Sequence, residues 1–416
     1  LRSLGVARGD RVAVRSWNRP EVAWLVFGAA RVGASVVLLN ARLTEAEVAP
    51  LLERAQAKVR FGDLPGATGL EVMSLGNSGL SEPVEDRVEI DDESVAVGLF
   101  TSGTTGVAKL VELTHANLFA SAAANAQRLG GEAEQRWLGT LPLFHVGGLA
   151  MLYRCTVYGA SIALETSFDA ARTAEALDRG VTHLSLVPTM LDRLLEVRGE
   201  RPFVGVRAAL IGGGPMTTTQ LQRARAAGLP VLQTYGLTEA CSQVTTEIPS
   251  EADGTTAGSP MHGVTVRIVN ADASGIGEIE VSGPTVAKGL GPWLQTKDLG
   301  RLDERGRLTI FARRLDLILS GGENVYPAEV EGVLREHPQV RDVAVTGRDD
   351  ATWGQVPVAV IVGDVEGEVL NAWARERLAA FKVPKAWIRV EALPRNATGK
   401  LDRAKVRALT SGDMSL

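Results

Sequence analysis

Apolar and polar positions along the chain alternate in blocks that change character twice. Residues 11–14 read as a short strand, Pro20 opens a helix to about Val32, and residues 35–39 form an unbroken apolar strand. That spacing predicts a βαβ unit whose strand is buried on both faces. The rhythm returns at 95–100, which runs into a glycine and threonine loop and then a helix from about His115. It returns again as strands at 161–164, 183–187 and 208–211, with helices at 170–178 and 188–197. From about Gly258 the texture shifts to short alternating strands with glycine turns, at 265–269, 278–281 and 307–311, as expected of an antiparallel or barrel-like subdomain. Beyond Asp316 helices come back: 327–336, strands 340–345 and 357–362, and a helix 369–380. The expected fold is α/β: a large N-terminal α/β domain with mixed sheets and a β-barrel-like subdomain over 1–312, a hinge at 313–316, and a small α+β C-terminal domain over 317–416.

Composition narrows the function. With 416 residues, 45% hydrophobic and 22% charged, the chain has the make-up of an ordinary soluble protein. Its most apolar stretch, 22–39, is broken by Arg31 and two glycines, so no membrane span is expected. A formal net charge of −5 argues against nucleic acid as a partner, because backbone binding needs a broad basic surface. Two cysteines, Cys155 and Cys241, make neither a disulfide framework nor a metal-ligand spacing, which points to the cytoplasm. The first ten residues lack the apolar core of a signal peptide. The chain opens without Met, in what reads as the last turn of a helix, so a leading segment is expected before Leu1.

The strongest chemical signal follows the strand that ends at Phe100. Thr101, Ser102, Gly103, Thr104, Thr105 and Gly106 lead through Val107 and Ala108 to Lys109. Glycines let backbone N–H groups approach a phosphate, hydroxyls add donors, and the lysine adds charge, so a nucleoside triphosphate is the natural ligand. A flexible surface loop is the plainer reading. The segment is not a Walker A loop, since Ala108 stands where glycine must precede the lysine.

This loop resembles the phosphate loop of the adenylate-forming superfamily of acyl-CoA synthetases, luciferases and adenylation domains, with Ala108 in place of the usual proline. Other motifs of that family follow in order. Gln233-Thr-Tyr-Gly-Leu-Thr-Glu239 resembles the segment in which Tyr235 and Gly236 lie against adenine, Thr238 meets the phosphate and acyl carboxylate, and Glu239 holds Mg²⁺. Gly212, Gly213 and Gly214 look like the adenine-side loop. Thr296-Lys-Asp298 resembles the ribose motif, with Lys297 where glycine is usual. Arg313, in Ala312-Arg-Arg-Leu-Asp316, resembles the hinge arginine that contacts ribose or phosphate, with a pivot around Arg314 to Asp316. Gly321 and Gly322 resemble the loop facing the pantetheine arm, and Lys400 the catalytic lysine of adenylation.

The resemblance implies ATP, Mg²⁺ and CoA as cofactor and co-substrates, a carboxylic acid as substrate, and a mobile C-terminal domain that alternates between two half-reactions. It leaves a homo-oligomer open. His145 would stand beside the acyl tunnel, or be a satisfied core histidine. His115 and His183 default to structural roles, and His262 and His337 to the surface. The segment 141–154, together with Gly212-Gly-Gly-Pro215 and the run from Gln233 to Gln243, most resembles the 2-succinylbenzoate-CoA ligases of menaquinone biosynthesis. That substrate keeps a second carboxylate, for which Arg154 is the candidate partner; a structural salt bridge is the alternative. Another aryl or medium-chain acyl-CoA synthetase, or a non-CoA adenylation protein, would share every nucleotide motif.

Overall fold

The computed structural model describes residues 1–67, 89–101, 108–214, 216, 218–271, 275–312, 318–325, 327–394 and 403–410. The chain forms two compact units. One comprises Leu1–Ala41, Leu52–Phe100 and Leu110–Phe311; the other comprises Arg42–Leu51, Thr101–Lys109 and Ala312–Leu416. The pivot expected at 314–316 lies outside the described residues.

The first sheet is built from β1 (Arg11–Arg15), α1 (Pro20–Val32), β2 (Ser35–Leu39), α2 (Glu45–Ala55), β3 (Val59–Gly62), β4 (Val95–Thr101) and β5 (Lys109–Thr114), in the strand order β3-β1-β2-β4-β5. β1 pairs in parallel with β2 and β3, and β2 with β4. Every residue of β2 is buried, as its continuous apolar run requires of a strand covered on both faces. Proline at the first turn of α1 and Gly33 at φ 72° after its last turn start and stop that helix.

The second sheet follows through α3 (His115–Leu129), β6 (Arg136–Gly139), α4 (Val146–Tyr158), β7 (Ser161–Leu164), α5 (Ala170–Asp178), β8 (His183–Leu186), α6 (Pro188–Arg198), β9 (Ala208–Ile211), α7 (Thr218–Ala226), β10 (Val231–Leu237), β11 (Ser242–Thr246) and β12 (Ser259–Pro260). Its order is β12-β11-β10-β9-β8-β6-β7, parallel from β7 to β10 and antiparallel at the β10–β11–β12 end. α3 begins with a capping box: Asn117 N–H donates to the Thr114 hydroxyl at 3.2 Å, and Thr114 N–H to Asn117 Oδ1 at 3.0 Å. A core of Leu25, Val36, Leu99, Leu118 and Tyr153 fills the space between the first sheet and the helices α1, α3 and α4. Four antiparallel strands, β13 (Thr265–Val269), β14 (Gly277–Ser282), β15 (Leu294–Leu302) and β16 (Leu308–Ala312), make the barrel-like sheet.

The second unit contains β17 (Ile318–Ser320), β18 (Glu323–Val325), α8 (Pro327–Arg335), β19 (Val340–Asp350), β20 (Gly354–Gly363), α9 (Gly367–Arg377), β21 (Ala386–Arg389) and α10 (Arg403–Leu409). β19 and β20 form a hairpin longer than the apolar runs indicate, because its polar distal residues continue the ladder out to Asp350 and Gly354. Buried Glu331 on α8 ties this unit together, accepting from Val345 N–H at 2.8 Å and from the Arg403 guanidinium at 2.7 Å.

The histidines divide as burial dictates. His183 stacks on Trp137 with centroids 4.9 Å apart, and burial lowers its pKa to about 4, so it is a neutral core residue. His115 is buried beside Tyr153. His262 is exposed, but His337 is not the surface residue its sequence context suggests. It is only 8% exposed and packs edge-on against Trp373 at 5.0 Å. Among the described residues no helix is long and apolar enough to cross a membrane.

Candidate active site

The segment Gln233 to Glu239 occupies the end of β10 and the turn into β11. β10 is fixed on one side by parallel pairing with β9, from Val231↔Ala209 to Gln233↔Ile211. On the other it pairs antiparallel with β11, with a register shift between Tyr235 and Gly236. Glycine is compulsory at 236, because a Cβ there would lie 1.8 Å from the Ser242 carbonyl oxygen. The turn holds a short 3₁₀ segment, Thr238–Ala240, followed by Cys241 at φ 54° and Ser242 at φ 87°. Two consecutive non-glycine residues in that region store strain of about 1 to 3 kcal/mol each. The Ser121 hydroxyl, donating to Cys241 O at 2.8 Å, helps to hold them. Thr238 and Glu239 are half-buried at this turn, and Ala287 N–H donates to Glu239 O at 2.8 Å.

Tyr235 is 1% exposed and its hydroxyl donates to Asp298 Oδ2 at 2.7 Å. Asp298 lies in a bulge of β15: Glu278 pairs with Leu299 and Glu280 with Gln295, so three residues of β15 face one of β14. Thr296 and Asp298 turn inward, with the Thr296 hydroxyl bonded to Ile279 O at 2.7 Å, while Lys297 points out at φ 62°. The glycine usual in the related motif would suit that angle, so lysine bears the strain. Lys297→Gly is therefore expected to unfold within about 0.5 kcal/mol of the parent or above it in a denaturant titration. The strain relieved and the chain entropy added are of similar size. A loss of more than about 1 kcal/mol would instead assign the lysine side chain a stabilising contact.

Gly212 follows β9, and a Cβ on it would lie 3.1 Å from Thr234 Cγ2; Gly213, at φ 77°, would meet Val187 at the same distance. Gly214 completes the run. His145 is the extended residue that precedes α4, its ring edge-on to Phe144 at 4.9 Å. The glycines after it let the helix start close to the preceding turn, since a Cβ on Gly148 would lie 2.3 Å from Pro142 O.

Arg154, in the last turns of α4, is 1% exposed. Its Nη2 donates to Gln243 Oε1 at 2.7 Å, its Cζ lies 5.6 Å from the centre of the Trp137 ring, and its Nε finds no partner among the described residues. No carboxylate among the described residues pairs with it. Burial lowers its pKa, and the polar groups nearest to it electrostatically are Tyr158, Cys155 and Cys241. The same burial pushes both thiols up to about 12, so all three neighbours are neutral. A structural salt bridge, the alternative raised by the sequence, is thus not what the described residues form.

In the second unit, Thr101 ends β4 half-buried and Lys109 begins β5 exposed; Ser102, Gly103, Thr104, Thr105 and Gly106 lie outside the described residues. Gly321 and Gly322 make the turn between β17 and β18 at φ 58° and 84°. Gly321 N–H donates to Trp353 O at 2.8 Å, and a Cβ on Gly321 would lie 2.6 Å from the Trp353 ring. Arg313 and Lys400 lie outside the described residues.

Comparison with known proteins decides what carries these features. Residues 1–290 match the model of the AMP-binding enzyme family, and residues 329–400 that of the AMP-binding enzyme C-terminal domain. The chain belongs to the AMP-binding enzyme family. This family member is 39% identical to the 2-succinylbenzoate–CoA ligase of Bacillus licheniformis, over 98% of this chain and 91% of that protein. A double mutant of o-succinylbenzoate CoA synthetase from Bacillus subtilis, solved with its product analogue OSB-NCoA, is 35% identical. It superposes with a TM-score of 0.90 over 98% of this chain and 90% of that one. The Bacillus subtilis enzyme in complex with ATP and magnesium ion is 34% identical, with a TM-score of 0.71 over 98% and 91% of the two chains.

The structure of this AMP-binding enzyme joins Tyr235 to Asp298 and sets Gly212 against the strand that carries Tyr235. It also reveals partners that the sequence reading did not single out: Gln243, Asn125 and Thr246, the buried amides and hydroxyl around Arg154. Their signal was a glutamine inside an otherwise apolar and hydroxyl-bearing strand, Ser242–Thr246.

Proposed function

We propose that this AMP-binding enzyme activates 2-succinylbenzoate with ATP as an acyl-adenylate and transfers the acyl group to CoA, a step of menaquinone biosynthesis. One observation carries the choice of acid. Arg154 is a buried guanidinium with no carboxylate partner among the described residues. An uncompensated buried cation is costly, and a substrate that arrives with a second carboxylate supplies what is missing. Two unpaired buried cysteines agree with work in the cytoplasm.

Activation is needed because a carboxylate has no competent leaving group, whereas its mixed anhydride with AMP does. The obstacle is charge: the attacking carboxylate and the α-phosphate are both anionic. In this reading the loop from Thr101 to Lys109 cradles the β- and γ-phosphates. Gly212, Gly213, Gly214, Tyr235 and Gly236 make the adenine slot. Asp298, its carboxylate oriented by the Tyr235 hydroxyl, accepts from the ribose hydroxyls, and Arg313 adds a contact to ribose or phosphate. Thr238 donates to the phosphate and acyl carboxylate, and His145 lines the acyl tunnel.

Glu239 would hold Mg²⁺. A nucleotide-borne Mg²⁺ keeps several waters and takes only one or two protein carboxylates, so a single half-buried carboxylate fits the requirement. The ion supplies charge neutralisation at the phosphates. Lys400 offsets the charge that redistributes as the anhydride forms. Gly321, packed against the Trp353 ring, and Gly322 shape the tight turn that would face the pantetheine arm for thiol attack.

The test is pyrophosphate release and CoA thioester formation over a panel of acids. 2-Succinylbenzoate is expected to exceed benzoates and fatty acids by more than about tenfold in kcat/KM, which is about 1.4 kcal/mol in transition-state terms. Turnover of another acid above that margin would replace the substrate and leave the ligase class standing.

A further inference from the structure

The groups around Arg154 have a direction. Asn125 Nδ2 donates to Gln243 Oε1 at 2.7 Å, the same oxygen that accepts from Arg154 Nη2. On the far side Gln243 Nε2 donates to Thr246 Oγ1 at 2.6 Å, and that hydroxyl lies 2.8 Å from Thr245 O, to which it donates. Asn125 is itself oriented by the Tyr158 hydroxyl, 2.9 Å from its Oδ1. Flipping the Gln243 amide would face an NH₂ group against two other donors, so the partners fix its oxygen toward Arg154. Gln243, Asn125, Thr246 and Arg154 are each at most 4% exposed, so water does not substitute for these bonds.

The choice of an amide at 243 matters because glutamate has nearly the same shape. A carboxylate there would neutralise the guanidinium from within. The glutamine orients the cation by one strong bond and leaves its charge unspent, with Nε unpartnered among the described residues.

We propose that Gln243 is a specificity-determining positioning residue: it holds Arg154 oriented but uncompensated, as the receptor for the carboxylate that the diacid substrate retains. The inference rests on the function proposed above. It makes the identity of residue 243, and not only that of Arg154, decide between diacids and monoacids.

The experiment compares wild type, Gln243→Glu and Gln243→Leu on 2-succinylbenzoate and on 4-oxo-4-phenylbutanoate, the same acid without its ring carboxylate. Pyrophosphate release gives kcat and KM for each acid and for ATP. Wild type is expected to prefer the diacid by about a hundredfold or more, a gap typical of a lost charge-assisted bond. Gln243→Glu should reduce that preference at least about thirtyfold through the KM of the diacid, with the KM of ATP unchanged and the midpoint of thermal unfolding equal or higher. Gln243→Leu, which removes the orienting bond but adds no charge, should weaken the diacid preference by about tenfold. A wild type with no diacid preference would overturn the proposed substrate. A diacid preference that survives both substitutions would overturn only the role of Gln243. If the glutamate variant does not fold, the leucine variant decides.

Discussion

Lys400→Ala is expected to make the acyl-adenylate at least about a hundredfold slower than wild type, yet to convert chemically prepared acyl-adenylate and CoA to thioester at close to the wild-type rate. The asymmetry follows from the role proposed for the lysine. Its ammonium offsets charge that moves from carboxylate to pyrophosphate during the first half-reaction, and removing one such preorganised contact costs about 3 to 4 kcal/mol. No comparable charge moves there when a thiolate displaces AMP. The segment that bears Lys400 leads directly into α10, whose Arg403 is fastened to Glu331 and to Val345 O. Deleting the lysine side chain leaves that fastening intact, so the variant should fold. Rapid-quench measurement of each half-reaction separately checks the claim; equal losses in both would assign Lys400 to a shared site or to stability.

Arg154→Met is expected to separate binding from folding. kcat/KM for the diacid should fall by about 30- to 1000-fold, about 2 to 4 kcal/mol, while the KM of ATP stays within about twofold. Stability should stay level or rise, because replacing an uncompensated buried charge by an apolar side chain of similar length removes a desolvation cost. Steady-state kinetics paired with denaturant unfolding reads both. A protein less stable by more than about 1 kcal/mol, with both substrates affected alike, would make Arg154 a structural residue after all.

The elements legible in the sequence were those with one dominant periodicity and a sharp boundary. α1, α5 and the strands β2, β7 and β9 lie where the apolar runs and their flanking Pro and Gly place them. α4 did not declare itself, for a physical reason. From Gly148 to Cys155 every residue is buried, so the helix has no polar face and its period of 3.6 is erased. Two early glycines disguise it further, although close approach to Pro142 O is what requires Gly148. The nucleotide motifs were readable because backbone demands dictate their residue types, as Gly236 shows. The surroundings of Arg154 were not, because Asn125, Thr246 and Gln243 come from α3 and β11, and only the packing of α3 and α4 against β11 brings them to one point. Lys297 shows the converse: the sequence marked it as a departure, and the structure shows the chain keeping the glycine angle without the glycine.

On the β10–β11 hairpin Tyr235, which we assign to the base of the adenylate, is followed by Gly236, whose cross-strand partner is Gln243, the residue whose amide oxygen accepts from Arg154. The strands approach there without a side chain between them, since a Cβ at 236 would lie 1.8 Å from Ser242 O, so a larger residue at 236 would force them apart. The proposed adenine contact and the residue that orients Arg154 are therefore joined through one backbone pair and are not carried by separate loops. Such a rung acts as a shared anchor: a substitution that moves the backbone at 236 would disturb Tyr235 and Gln243 together. Selection for a new acid could change the charge at Arg154 and the residue that orients it, but would have to leave the glycine rung beside them in place.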